Sequence, residues 1–185
     1  MGSRAYLIKQ ISDSHYKYTY AHHGAGKFKR LSDLYYYSEK EITDEDIAKR
    51  FSEIWEHSKQ KGEEIRTATS LDEIVNVEQI TIEAYIIEDQ SDEYHAIFPT
   101  ISSKVNVAVT KPLKSITDLN SLKKLHRQIS DYLRVAENQE LEEATIREGV
   151  RKAVTEYRRD GYTLLIEEDE SPQSKVFNRL SRVIA

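Results

Sequence analysis

Chemistry-bearing residues concentrate in one stretch, Tyr16-Lys-Tyr-Thr-Tyr-Ala-His-His-Gly-Ala-Gly-Lys-Phe-Lys-Arg30. His22 and His23 offer imidazoles that titrate near neutrality and can move protons or bind metal. Lys27, Lys29 and Arg30 follow within a few residues and can hold a phosphate. Tyr16, Tyr18 and Tyr20 fall at spacing two, so on a strand they share one face and present rings on which bases can stack. Three activities fit: a small metal-dependent nuclease or phosphodiester-cleaving enzyme using His22 and His23, a nucleic-acid-binding module, or a protein-binding surface. The same residues also fit a tyrosine-rich strand followed by an ordinary charged turn, with Gly24 and Gly26 freeing the backbone for a loop.

Complete catalytic signatures are missing. Adjacent strand residues point to opposite faces, so His22 and His23 can share one ion only if the backbone bends at Gly24. Asp13, His15, His57 or His95 can complete a ligand set only through folding, and no metal or cofactor is expected. Gly24-Ala25-Gly26-Lys27 lacks the earlier glycine and the following Ser or Thr of a phosphate-binding loop, since Ala21 and Phe28 stand there. With no cysteine in the chain, thiol nucleophiles, thiolate metal sites and disulfides are excluded. No apolar run approaches the ~20 residues that cross a bilayer, and the chain reads as a soluble cytoplasmic protein without membrane partners.

The elements that must position these residues follow from periodicity. Ala5 to Ile11 and Tyr16 to Ala21 form a hairpin about a turn at Ser12 to His15, which puts His22 and His23 at its open end. Leu31 to Tyr37 fits either a strand or a buried helix. Thr43 begins a helix whose Ile47, Phe51, Ile54 and Trp55 make one apolar stripe ending before Gly62. Glu63 to Ser70 reads as a polar connection. From Ile74 to Lys111 the period changes to two, predicting an antiparallel meander with turn residues at Gln90 to Glu93. A helix begun by Thr117-Asp118 carries Leu119, Leu122, Leu125, Ile129, Tyr132, Leu133 and Ala136. A second carries Ile146, Val150, Ala153, Val154 and Tyr157. Tyr162 to Glu167 is a strand, and Ser171-Pro172 opens a last helix with Lys175, Arg179 and Arg182 opposite its apolar stripe. The pattern predicts a single α+β domain over residues 1–185, with a mostly antiparallel sheet packed against amphipathic helices and a possible helical subdomain over 113–185.

Charge divides along the chain. Residues 1–40 carry a net +4, residues 41–100 a net −11 and residues 101–185 a net +2. An acidic middle, led by Asp44, Glu45 and Asp46, repels free nucleic acid and suits a basic partner groove.

The opening Met1-Gly2-Ser3-Arg4, the apolar strand and Tyr20-Ala-His22-His23-Gly24 resemble the start of small phage- and prophage-encoded proteins that begin Met-Gly-Ser/Thr-Arg and soon present tyrosine, histidine and glycine. In those proteins Trp-Asp-Gly-Tyr-Pro often follows the histidine, whereas Gly24-Ala25 follows His23 here. The resemblance implies a mobile-element setting. Together with the acidic middle it leads to the expectation of an accessory protein that binds and inhibits a host protein or protein–nucleic-acid complex such as a defence nuclease. The binding residues expected are Tyr16, Tyr18, Tyr20, Lys27, Lys29, Arg30, Asp44, Glu45 and Asp46.

Overall fold

The computed structural model describes residues 3–37, 44–75, 81–102, 104–155 and 163–166. Alternating apolar residues build the hairpin as expected, β1 (Ala5–Ser12) with β2 (His15–Ala21), in a register that sets Tyr6 against Tyr20 and Ile8 against Tyr18. The meander is β4 (Ala84–Glu88), β5 (Tyr94–Ile101) and β6 (Asn106–Leu113), each antiparallel to the next, with β7 (Thr163–Ile166) beside β6. One pair departs from this sense, because β4 lies parallel to β1 with Leu7 against Ile86. The result is an α+β fold around a seven-stranded, mostly antiparallel sheet in the order β3-β2-β1-β4-β5-β6-β7.

Three local expectations change. Residues 63–70 contain a short strand, β3 (Arg66–Ala68), which pairs with β2 at the sheet edge. The meander starts at Ala84, since Leu71–Glu73 forms a single 3-10 turn and residues 76–80 lie outside the described ones. The expected loop after His23 is instead a helix, α1 (Gly24–Tyr37), which absorbs the undecided stretch Leu31 to Tyr37. The glycines there serve close packing. A Cβ on Gly24 would stand 2.6 Å from the Ala21 Cβ and 3.3 Å from that of Ala5, so only glycine lets α1 start this near the sheet.

Helices α1, α2 (Asp44–Gln60), α3 (Ile116–Asn138) and α4 (Glu143–Thr155) cover one sheet face. The α2 stripe is core as expected: Ile47, Phe51, Ile54 and Trp55 are buried with Leu7, Ile86 and Phe98. The first turn of α3 is pinned by Asp118, whose carboxylate accepts the Lys114 and Ser115 amides at 2.8 and 3.0 Å, so the helix starts slightly before Thr117. The opposite sheet face buries Ile8, Tyr85, Ile87 and Ile97 against Leu71, Ile74 and Val75. No described helix is long and apolar enough to cross a membrane. The expected helix from Ser171-Pro172, the Tyr157 position and the cap at Thr43 lie outside the described residues.

Two stability outcomes follow. Phe51 is fully buried, 6.2 Å from the Trp55 ring and 5.3 Å from that of Tyr94, so Phe51→Ala costs about 3–5 kcal/mol in urea melts. A loss below about 1 kcal/mol would place that helix face outside the core. His126 on α3 donates from Nε2 to the Pro99 carbonyl at 3.2 Å, and burial, then the nearby Lys29 ammonium, push its pKa down to about 4. A base depressed in the folded state is protonated first in the unfolded chain. Its stability contribution is therefore full above pH 6.5 and is lost as pH falls from 6.5 toward about 4, by up to about 1.4 kcal/mol per pH unit. His126→Gln removes that component, read as a shallower loss of stability than wild type over this window in urea melts.

Candidate anion-binding pocket

The site arises where β2 stops. Tyr20 and Ala21 end the strand, His22 and His23 form a two-residue turn, and Gly24 starts α1 against the sheet. The bend predicted to be necessary at Gly24 is thus present. Helix α2 packs beside α1 and brings its last turns over the same place. Between these walls lies a pocket of about 400 Å³, lined on its polar side by His22, His23, Lys27, His57, Lys61 and Glu63. Its floor includes Ala21, Gly24, Ile54 and Ser58.

The pocket's positive character comes from side chains rather than from bare helix amides. In the first turn of α1 the Ala25 amide donates to the Ser3 carbonyl at 3.1 Å, the Gly26 amide to Ser3 Oγ at 2.9 Å, and the Lys27 amide to the His23 carbonyl at 3.0 Å. The rings of His22 and His23 stand 4.4 Å apart, nearly perpendicular, and the Tyr20 hydroxyl lies 3.3 Å from His22 Nδ1. His23 is held below the ordinary histidine value, first by loss of hydration and then by the neighbouring His22, Lys27 and Arg30. His57 in the last turn of α2 and Lys61, the residue after its end, enter from the opposite wall, joined by the Lys61 amide donating to the His57 carbonyl at 3.0 Å. Imidazoles from two walls and two ammonium groups around one cavity are equipped to hold a phosphate ester and move protons on both sides of it.

The expected binding residues do not form one surface. Lys27 lines the pocket and Arg30 is exposed further along α1, but Lys29 turns inward, 4.8 Å over the Phe98 ring, where burial lowers its pKa. The helix separates the three cations because 100° steps send Lys29 to another face, a constraint that a loop reading misses. Tyr16 is buried at 3% exposure and accepts from Gln10 Nε2 at 3.3 Å, so it belongs to the core and not to a binding face. Tyr18 and Tyr20 are half-buried on the sheet face away from the helices, around Tyr6. Glu45 is exposed and Asp46 half-buried at the start of α2, and the Asp44 side chain lies outside the described ones. His57 had no spacing relation to His22, and Lys61 and Glu63 carried no motif; His57 and Lys61 follow the apolar Ile54 by one and two turns, and Glu63 follows the turn at Gly62.

Metal-ligand geometry lies elsewhere. Among the described residues, the group whose ligand atoms gather within 4.8 Å is Asp89, Glu93 and His95 in the β4–β5 hairpin, while the pocket histidines do not gather in this way. The hairpin engages the Asp89 carboxylate and His95 Nε2, while His95 Nδ1 is buried without a hydrogen-bond partner among the described residues. Asp89 Oδ1 accepts the Ser91 and Glu93 amides at 2.8 and 3.0 Å, and Oδ2 faces His95 Nε2 at 2.8 Å, an arrangement that clasps the turn. Gln90 extends the clasp by donating to Asp13 at 2.8 Å across the neighbouring β1–β2 turn.

No protein-family model matches the chain, and neither a curated protein nor a solved structure does, so what the pocket does rests on its own geometry.

Proposed function

We propose that the chain binds a phosphate ester in the pocket between the His22–His23 turn and α2, and acts on it by metal-independent acid–base chemistry. The observation that carries this reading is the convergence of His22, His23, His57, Lys27 and Lys61 on one cavity of about 400 Å³, the size of a nucleotide-scale ligand site. In-line displacement at phosphorus needs a base and an acid on opposite sides. His23, whose pKa is held low, supplies the base from the β2–α1 wall, and His57 the acid from the α2 wall. Lys27 and Lys61 neutralise the phosphate oxygens, where charge accumulates in the transition state.

Millimolar inorganic phosphate shifts the NMR resonances of the His22, His23 and His57 rings, and Lys27→Ala with Lys61→Ala weakens phosphate binding at least tenfold. Hydrolysis of bis(p-nitrophenyl) phosphate in the presence of EDTA falls 10²–10⁴-fold in His23→Ala and in His57→Gln, with melting temperatures near wild type. Unmoved histidine resonances, or turnover that requires an added divalent ion, would remove this function.

A second reading keeps the acidic surface as the active feature, docking on a host nucleic-acid-handling complex and inhibiting it. Exposed Glu45, Glu53 and Glu56 on α2 favour it, although Glu53 lies 3.8 Å from Arg50 and Glu56 3.6 Å from Lys59, which makes that face mixed in charge. On this reading Asp44, Glu45 and Asp46 reversed to lysine slow association with the partner, measured by stopped flow, far more than they change stability. Unchanged association rates would discard it.

A further inference from the structure

We infer that the ester taken by the pocket is a linkage of single-stranded RNA, its bases laid along a line of aromatic rings that runs from the sheet face to the histidines. This inference rests on the phosphate-ester reading of the pocket. The line is continuous. Tyr18 lies 5.7 Å and Tyr20 5.9 Å from Tyr6, both edge-to-face, with the inner face of Tyr6 stacked on Tyr85; Tyr20 lies 6.3 Å from His22 and His22 4.4 Å from His23, all between ring centres. The three tyrosines keep part of their surface open and the two histidines are exposed. Register explains the line: Tyr18 and Tyr20 are two apart on β2, and β1 delivers Tyr6 opposite Tyr20, so all three share one face.

Rings alone would fit a cross-strand cluster that only steadies the hairpin. What separates this one is its end, since the last tyrosine hydroxyl contacts His22 at the mouth of a cavity holding Lys27 and Lys61. Partly open aromatic rings that lead into a lysine-bearing phosphate site are the two parts by which proteins hold single strands, and duplex bases are not available to such rings.

RNA rather than DNA follows from the acid–base pair. The pocket histidines do not gather as metal ligands, and protons moved by imidazoles serve best when the nucleophile is already part of the substrate. The ribose 2′-hydroxyl is such a nucleophile. Its oxygen attacks phosphorus as His23 removes its proton, and the bond from phosphorus to the 5′-oxygen breaks as His57 protonates the leaving oxygen. A 2′,3′-cyclic phosphate and a 5′-hydroxyl result, with no electron transferred and no water consumed. Affinity is modest, because the chain's net charge of −5 opposes any polyanion and the pocket's two lysines, offset by Glu63, neutralise only about one phosphate, giving a log–log salt slope of about −0.7.

The test uses uridine hexanucleotide. It binds at least tenfold more tightly than inorganic phosphate, and in EDTA it is converted to cyclic-phosphate products, whereas its all-deoxy analogue is not cut. A 5-iodouridine hexanucleotide irradiated on the wild-type chain cross-links to Tyr6, Tyr18 or Tyr20. Tyr18→Leu, with its fold checked by melting, lowers the ratio of hexanucleotide to phosphate affinity at least tenfold. If phosphate binds but the hexanucleotide binds no better, cross-links elsewhere or is recovered intact, the RNA inference falls and the pocket reading survives. If phosphate itself fails to bind, the pocket reading falls and takes the RNA inference with it.

Discussion

The close seating of α1 on the sheet at Gly24 governs the arrangement of the whole N-terminal half. With Ala21 and Ala5 directly beneath, the helix can begin within two residues of the end of β2 only because Gly24 has no Cβ to collide with them. That leaves His22 and His23 no room to extend as a strand or to wander as a loop, and they become a tight turn presented to solvent. Ser3 completes the junction by taking two amides of the α1 first turn, so the start of β1, the end of β2 and the start of α1 are tied at one point. Helix α2 can then lie alongside α1 and close the second wall of the pocket.

The two sheet faces divide labour. One buries a large apolar cluster under four helices, which holds α2 by Phe51, Ile54 and Trp55 and thereby fixes where His57 and Lys61 emerge. The other carries the tyrosines and the smaller cluster around Tyr85. A residue's parity on β2 thus decides which side it serves: Tyr16, Tyr18 and Tyr20 face one way, while Thr19 and Ala21 face the helices. The pocket sits where this alternation ends.

Periodicity made the fold legible where one face of an element is buried. The hairpin, the α2 and α3 stripes and the meander each have that property, and each was recoverable from spacing alone. What spacing does not carry is pairing between distant segments, so the parallel contact of β1 with β4 had no local trace. The start of α1 was misread because Gly24 and Gly26 weaken helix propensity by roughly 1 kcal/mol each, an amount that the packing of Phe28 and Leu31 overrides. Half of the site was visible as His22, His23 and Lys27. The other half, His57 and Lys61, depends on how two helices lie against each other, which no pattern within α2 encodes.

The parallel pair also bears on how the chain acquires its shape. β1 occupies the inside of the sheet with β2 on one flank and β4 on the other, so Ala5 must find both Ala21, its near partner, and Ala84, far along the chain. The hairpin can close early, since its loop is short, but its inner edge then stays unpaired until α1, α2 and the β3 region have been placed between them. During that interval the backbone of β1 is an open template with apolar Leu7 and Ile8 on its two faces, the kind of edge that recruits other chains. Pairing of β4 is therefore what closes this edge, and because the same segment brings Ile86, Tyr94 and Phe98 under α2, it also completes the core that seats the pocket's second wall.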